Sequence, residues 1–127
     1  MKGKILIVDD DPTSLRTTEA VLSKHGFEVK TSSHAEDIEK KTSEFSPSLI
    51  VMDLIMPKVD GTQAVKRLQM NPTLKKIPIV FLTAINMNND EQGVHFEVNV
   101  NNKNYRTLTK PFNTQALITE IEGLIKQ

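Results

Sequence analysis

Five polar residues stand at the ends of apolar runs and are of the types that handle a divalent cation and a phosphoryl group. Asp9, Asp10 and Asp53 each come after a run rich in β-branched residues, and Thr83 and Lys110 come after two later runs. Mg²⁺ takes oxygen ligands and keeps several waters, so two or three carboxylates suffice to bind it. A carboxylate beside such a cation can attack phosphorus and form an acyl phosphate. A lysine ammonium and a hydroxyl can bind the phosphoryl oxygens. These types indicate magnesium-dependent phosphoryl transfer if the fold brings them together.

Each of these residues also has an ordinary explanation when it is taken alone. The acidic triplet that ends at Asp11 suits a solvated turn, with Asp11 as the N-cap of a helix and Pro12 at its first position. Asp and Thr are common turn residues at strand ends, and a single lysine is usually solvated. The interpretation therefore depends on whether the strand ends converge.

Short apolar runs alternate with helical patterns along most of the chain. The predicted strands are Lys4–Val8, Phe27–Thr31, Leu49–Met52, Ile79–Leu82 and, more weakly, Arg106–Thr109. The predicted helices run from Asp11-Pro12 to Gly26, from a capping box of Ser33 and Glu36 to about Glu44, after Asp60, and after Asn113. This alternation predicts an α/β fold with a parallel sheet, and such sheets bind ligands at the carboxyl ends of their strands.

Composition narrows the class of protein. The chain has 127 residues, which suits a single domain over 1–127, and its 16 basic and 16 acidic residues give no basic surface for direct contact with nucleic acid. It has no cysteine, so a disulfide framework and a thiolate zinc site are excluded. No apolar run is long enough to insert into a membrane, and we expect a cytoplasmic protein.

Four motifs carry a resemblance to a known family. They are "ILIVDDDP" at the first predicted strand, "LIVMDLIMPKVDG" around Asp53, "IVFLTA" at the fourth strand and "TKPF" near the fifth. In this order and spacing the chain resembles the receiver domain of two-component response regulators, of the chemotaxis-regulator type. The resemblance implies a doubly wound, flavodoxin-like parallel sheet of five strands in the order 2-1-3-4-5.

The resemblance also implies roles for individual residues. Asp53 would be the phosphoacceptor, Thr83 the switch hydroxyl and Lys110 the lysine that pairs with the phosphate. Magnesium would be the cofactor, with Asp10 as a direct ligand and Asp9 bound mostly through water. The full set of implied metal ligands is Asp9, Asp10, Asp53 and the backbone carbonyl of Ile55. The Lys110–Pro111 peptide bond would be cis.

The function implied is that of a switch rather than an enzyme. A histidine kinase or a phosphotransfer protein would donate the phosphoryl group, and the signal would pass to a downstream protein partner. Two other classes remain open: a pseudo-receiver that binds partners without phosphorylation, and a magnesium phosphohydrolase. Phosphohydrolases that resemble the haloacid dehalogenase group have a second Asp two residues after the nucleophile, where this chain has Ile55.

The chain departs from the family pattern at an aromatic position. Three residues before the lysine the family usually has an aromatic side chain that turns inward on activation, and this chain has Thr107. Tyr105 lies on the same face of the predicted strand, about 6–7 Å further along it. The usual aromatic response to phosphorylation is therefore not expected here.

A second departure lies between the fourth strand and Lys110. Residues 94–100 alternate apolar and polar with a period of two, which is typical of a strand rather than a helix. Asn101-Asn102-Lys103-Asn104 then supplies residues suited to a turn. We therefore predict that the fourth helix of the family is shortened or lost and that a β-hairpin, with the fifth strand as its second arm, replaces it; the alternative is a degenerate helix in which tertiary packing overrides propensity. A dimer through the usual face of helix 4, strand 5 and helix 5 would then be doubtful.

Overall fold

The structure is a computed structural model that describes residues 3–84, 95–110 and 112–125, with the side chains of 95 and 96 left aside. Six strands and four helices are described. The strands are β1 Lys4–Val8, β2 Glu28–Ser32, β3 Leu49–Asp53, β4 Ile79–Thr83, β5 His95–Val100 and β6 Lys103–Thr109. The helices are α1 Pro12–Lys24, α2 Ile38–Phe45, α3 Gly61–Gln69 and α4 Thr114–Ile125, with a short 3₁₀ turn at Leu74–Lys76.

The strands form one sheet in the order β2-β1-β3-β4-β6-β5. All neighbours are parallel except β5 and β6, which are antiparallel. The predicted α/β class and the order of the five parallel strands are confirmed, but the sheet has six strands rather than five. The extra strand is the first arm of the predicted hairpin.

Helices cover both faces of the sheet because its central strands are apolar on both sides. One core cluster joins the sheet to α1 and α4 through residues such as Leu22 and Leu117, and the other joins it to α2 and α3 through Ile38 and Leu68. β3 and β4 are buried along their whole length, as expected of strands between two helical layers. The carboxyl ends of β1, β3 and β4 therefore open along one edge, between the layers.

Three of the four predicted helix starts are confirmed by their caps. The Asp11 side chain accepts from the Thr13 N–H at 3.1 Å and begins α1. Asp60 and Gln63 form a reciprocal capping box at α3. The Asn113 side chain accepts from the Ala116 N–H at 3.0 Å at the start of α4.

The predicted start of α2 is wrong. Ser33 and Glu36 make no capping box, and the helix begins only at Ile38, with Asp37 at its N-cap position. The physical reason lies in the neighbours of that segment. Ala35 and Ile38 are both buried in the core, and residues 35–37 form a turn that brings the two side chains there. Packing therefore overrides the local capping signal.

The hairpin expected from the alternating pattern is present in the described residues. β5 pairs with β6 from His95↔Leu108 to Val100↔Lys103. Asn101 and Asn102 form its two-residue turn with φ of 51° and 68°, the left-handed conformation that a tight hairpin requires and asparagine tolerates. The expected faces of β6 are also confirmed, since Tyr105 belongs to the core cluster on one side of the sheet and Leu108 to the cluster on the other.

The hairpin is fastened to α3 by one glutamine. The Gln69 Nε2 amide donates to the Val100 carbonyl at 3.1 Å and to the Tyr105 hydroxyl at 2.8 Å. The Asn101 side chain donates to the Gln69 Oε1 atom at 3.2 Å. Tyr105 also packs edge-on against Phe81 of β4, with ring centroids 5.8 Å apart. Both arms of the hairpin and its turn are thus held by the end of α3.

Two expectations fall outside the described residues. Pro111 and Val94 are not described, so the expected cis Lys110–Pro111 bond and the contribution of Val94 to the hairpin both lie outside the described residues.

Among the helices that are described, none combines the length and the apolar character that crossing a membrane requires.

Candidate functional site

Lys110 and two aspartates meet at the carboxyl edge of the sheet. The Lys110 Nζ atom lies 2.6 Å from Asp9 Oδ2 and 3.4 Å from Asp53 Oδ2. All three side chains are largely buried, with exposed fractions of 16% for Lys110, 4% for Asp9 and 11% for Asp53. An ammonium that contacts two buried carboxylates interacts more strongly than a surface pair, because little water screens it.

The strand register brings these side chains together. Val8 stands beside Met52 in the β1–β3 pair, so Asp9 and Asp53, the next residues along, are neighbours at the strand ends. Leu82 stands beside Asp53 in the β3–β4 pair. The Lys110 N–H donates to the Thr83 carbonyl at 2.7 Å, which extends the β4–β6 pairing to the lysine. The predicted convergence of strand ends is therefore what the structure contains.

Three carboxylates form what we call the acidic cluster: Asp9, Asp10 and Asp53. One oxygen from each lies within 4.8 Å of the others. Asp10 is exposed, whereas the other two are buried. Asp11, the third member of the triplet, instead caps α1, and its backbone N–H donates to Asp9 Oδ1 at 3.0 Å. The sequence interpretation separated Asp11 from its neighbours in the same way.

Burial and charge change the pKa of the two buried aspartates in opposite directions. Burial raises the pKa of Asp53 to about 6; the charge of Asp9 also raises it, and Lys110 opposes the change. Burial alone would raise the pKa of Asp9 too, but hydrogen bonds from Lys110 and from the Asp11 backbone hold it below its ordinary value. Asp9 is therefore the carboxylate that the lysine stabilises, and Asp53 is the one whose charge is poorly compensated.

Thr83 and Ile55 complete the predicted set. Thr83 ends β4, is fully buried, and its hydroxyl has no hydrogen-bond partner in the part of the chain that the structure describes. A buried hydroxyl without a partner costs free energy, so this one is available to a group that enters the site. The Ile55 N–H donates to Asp53 Oδ1 at 3.3 Å, and the Ile55 side chain is 64% exposed. The role of the Ile55 carbonyl stays a prediction.

Gly61 is a residue of the site that the sequence interpretation missed. A Cβ atom at Gly61 would lie 2.6 Å from the Asp53 carbonyl and 2.9 Å from the Leu54 Cα. The start of α3 can therefore lie against the end of β3 only if residue 61 has no side chain. The pair Asp60-Gly61 in the sequence marks a helix start, but the close approach to Asp53 depends on the tertiary fold.

The residues present fit a hard divalent cation. The acidic cluster offers only oxygen ligands, its members lie close enough to share one ion, and Lys110 alone leaves its negative charge incompletely balanced. Hard cations such as Mg²⁺ prefer such carboxylate ligands and retain waters at the remaining positions. The side chain at position 55 is apolar and exposed, so it provides no further carboxylate.

Comparison with protein-family models matches residues 5–122 to the response regulator receiver domain. Protein PilH of Pseudomonas aeruginosa is 29% identical over 128 residues, covering 97% of this chain and 98% of PilH. The alkaline phosphatase synthesis transcriptional regulatory protein PhoP of Bacillus subtilis is 29% identical over 127 residues, and this chain spans 50% of its length.

Among solved structures, a receiver domain has a similar fold. It belongs to the sensor histidine kinase PA1611 of Pseudomonas aeruginosa PAO1 and was solved with a magnesium ion coordinated in its active site cleft. The TM-score is 0.81 at 24% identity, with 98% of each chain covered. At that identity the likeness concerns the fold.

Proposed function

The chain belongs to the response regulator receiver domain family, and from this premise we propose that it is a phosphorylation-dependent switch. Asp53 accepts a phosphoryl group from a phosphohistidine on a histidine kinase or phosphotransfer protein. The acidic cluster holds the Mg²⁺ that the reaction requires. The switch acts in the cytoplasm by changing how the domain binds a protein partner, and it turns over no external substrate.

One observation carries this proposal: a single lysine contacts both buried aspartates at the edge where three strands end. Lys110 Nζ lies 2.6 Å from Asp9 and 3.4 Å from Asp53. Structural ion pairs do not require a third carboxylate beside them, yet Asp10 lies in the same cluster. A cation that bound there would offset the repulsion among the three carboxylates, which explains why they are grouped.

The residues of this chain have distinct parts in the transfer. A carboxylate oxygen of Asp53 forms the new P–O bond as the P–N bond to the donor histidine breaks, and the imidazole leaves with the electron pair. Lys110 is already near Asp53 and can turn to an oxygen of the phosphoryl group, while Asp9 keeps its contact with the backbone N–H of Asp11. The buried Thr83 hydroxyl can donate to another of these oxygens. Bound Mg²⁺ supplies charge neutralisation for the incoming phosphoryl group.

The decisive experiment measures covalent phosphorylation of the purified chain. We expect its intact mass to rise by one phosphoryl group on incubation with acetyl phosphate and MgCl₂, and to stay unchanged when a chelator replaces the metal. Asp53→Asn removes the nucleophile and should abolish the increase. Asp11→Asn is the matched control, because it changes a neighbouring acid that caps α1 and lies outside the cluster.

Two results would contradict the proposal. Equal labelling of Asp53→Asn and the unchanged chain would move the phosphoacceptor elsewhere. No labelling of the unchanged chain by acetyl phosphate or by a phosphorylated histidine donor would favour a receiver that acts without phosphorylation.

A further inference from the structure

The strand β5 forms one edge of the sheet, and within the described ranges it has a strand neighbour on one side only. An edge strand carries a row of backbone N–H and C=O groups that can pair with another strand. β5 is six residues long and antiparallel to β6. It therefore offers enough backbone for a further antiparallel partner.

The hairpin turn determines which backbone groups point outward. The two-residue turn closes on the pair Val100↔Lys103, and hydrogen-bonded and non-hydrogen-bonded pairs then alternate along an antiparallel ladder. Val98 and Val100 accordingly direct their backbone groups at β6. Glu97 and Asn99 direct theirs away from β6, towards the side of β5 on which no described strand lies.

The two edge strands of the sheet differ in how strongly their side chains discourage pairing with a strand of another chain. At the other edge β2 carries Glu28 and Lys30, both exposed, and charged side chains on an edge discourage pairing with another chain. β5 contains no lysine and no proline, and Glu97 is its only acidic residue. Val98, on the face shared with Tyr105, is only partly buried. The β5 edge is thus the better template for an added strand.

We propose that β5 pairs with β5 of a second copy of this chain, antiparallel, about a two-fold axis at Val98. This register places Val98 opposite Val98 and each Glu97 opposite Asn99 of the other copy. It also pairs the outward-directed backbone groups of Glu97 with those of Asn99. An axis at Glu97 would instead set two glutamates directly opposite each other, which is destabilising.

The net charge of the chain permits a second copy at this edge. The chain has no net charge, with 16 basic and 16 acidic residues, so two copies do not repel each other at long range. The pairing makes one continuous sheet of twelve strands, with α1 and α4 of both copies on the same face. The two acidic clusters then open at opposite ends of the joined sheet.

The first test measures mass in solution. We expect sedimentation equilibrium to give a mass rising from the 14.3 kDa of one chain towards twice that value. The mass should increase at protein concentrations between about 10 µM and about 1 mM, because one strand pair makes a small interface. Glu97→Pro removes an outward N–H without touching the β5–β6 ladder and should leave only monomer. Glu97→Gln keeps that N–H and should still dimerise.

The second test reads the register. The chain has no cysteine, so each introduced cysteine is the only thiol. In the proposed register the Val98 pair is non-hydrogen-bonded, with Cα atoms about 4.5 Å apart, which suits a disulfide. Val98→Cys should give covalent dimer under mild oxidation at least ten times faster than Glu97→Cys or Asn99→Cys. Lys30→Cys on β2 measures the rate of random collision.

Three results would overturn the proposal. They are a mass that stays at one chain up to the highest concentration, a dimer that persists in Glu97→Pro when circular dichroism finds that variant folded, and faster cross-linking at Glu97→Cys than at Val98→Cys. None of these measurements involves phosphorylation. A result that overturned the proposed dimer would therefore leave the proposed role of Asp53 unaffected.

Discussion

At the scale of single residues, the site works because neighbouring acids in the sequence have different surroundings. Asp9 is buried against Lys110, Asp10 is exposed, and Asp11 caps a helix. Three identical side chains in a row thus acquire three separate tasks from the turn between β1 and α1. Residue type alone does not distinguish them; position after the strand does.

Substitution of Asp10 and of Asp11 should separate metal binding from stability. Asp10→Ala removes one of three carboxylates of the acidic cluster, so we expect Mg²⁺ affinity to fall at least tenfold with little change in the free energy of unfolding. Asp11→Ala removes the cap of α1 and should lower the free energy of unfolding by about 1 kcal/mol. Titration calorimetry with MgCl₂ and urea unfolding measure the two effects. Equal magnesium affinities in both variants would contradict the assignment.

At the scale of elements, the sequence predicts what is local and misses what depends on packing. The β5–β6 hairpin could be predicted because a period of two and a run of asparagines are features of the chain itself. The start of α2 could not, since burial of Ala35 and Ile38 overrides the Ser33 signal. Likewise the closeness of Gly61 to Asp53 depends on how α3 lies against β3.

The candidate site likewise has features that the sequence predicts and features that depend on packing. The five residues at the strand ends were predictable because parallel strands align their carboxyl ends. Lys110 lies closer to Asp9 than to Asp53, and the Thr83 hydroxyl has no partner within the described ranges. Both features arise from side-chain packing that no sequence pattern records.

The link between α3 and the hairpin gives a prediction at this scale. Gln69→Ala removes the amide that donates to the Tyr105 hydroxyl and that adds a second hydrogen bond to the Val100 carbonyl, so we expect a loss of about 1–3 kcal/mol in the free energy of unfolding. Tyr105→Phe removes only one of these bonds and keeps the contact with Phe81; we expect a loss of about 1 kcal/mol.

The two changes should also be coupled. Once Gln69 is absent, Tyr105→Phe has no hydrogen bond left to remove, so its effect should shrink in the double variant. Urea unfolding of the four proteins measures this. Fully additive losses would mean that the glutamine does not hold the tyrosine in solution.

At the scale of the whole molecule, the candidate site at the carboxyl ends of the strands lowers the stability of the fold. Most buried polar groups of a folded chain are satisfied, yet the site holds the Thr83 hydroxyl, to which the described residues offer no partner, and a carboxylate whose pKa is raised to about 6. Such a site destabilises the metal-free fold and is relieved when a ligand binds, which is a common exchange of stability for function.

The pH dependence of unfolding should record this cost. Because the pKa of Asp53 rises from 3.8 to about 6 on folding, the folded chain binds more protons than the unfolded chain in that window. The free energy of unfolding should therefore fall as the pH rises from about 4 to about 6. Asp53→Asn cannot titrate and should gain stability relative to the unchanged chain over the same window. Urea unfolding in metal-free buffer measures both, with Asp11→Asn as control; parallel curves for the unchanged chain and Asp53→Asn would contradict the prediction.

The hairpin makes the part of the sheet beyond β4 more rigid than a packed helix would. β5 returns the chain along the sheet in six residues, about 20 Å at the rise of a strand, where a helix would need about 13 residues. A helix packed on a sheet can slide by an ångström or two, but a hydrogen-bonded strand keeps its register, because a slip of one residue turns every side chain to the opposite face. β6 leads directly into Lys110. We therefore expect a displacement of the lysine to move β6 and β5 together as one rigid unit.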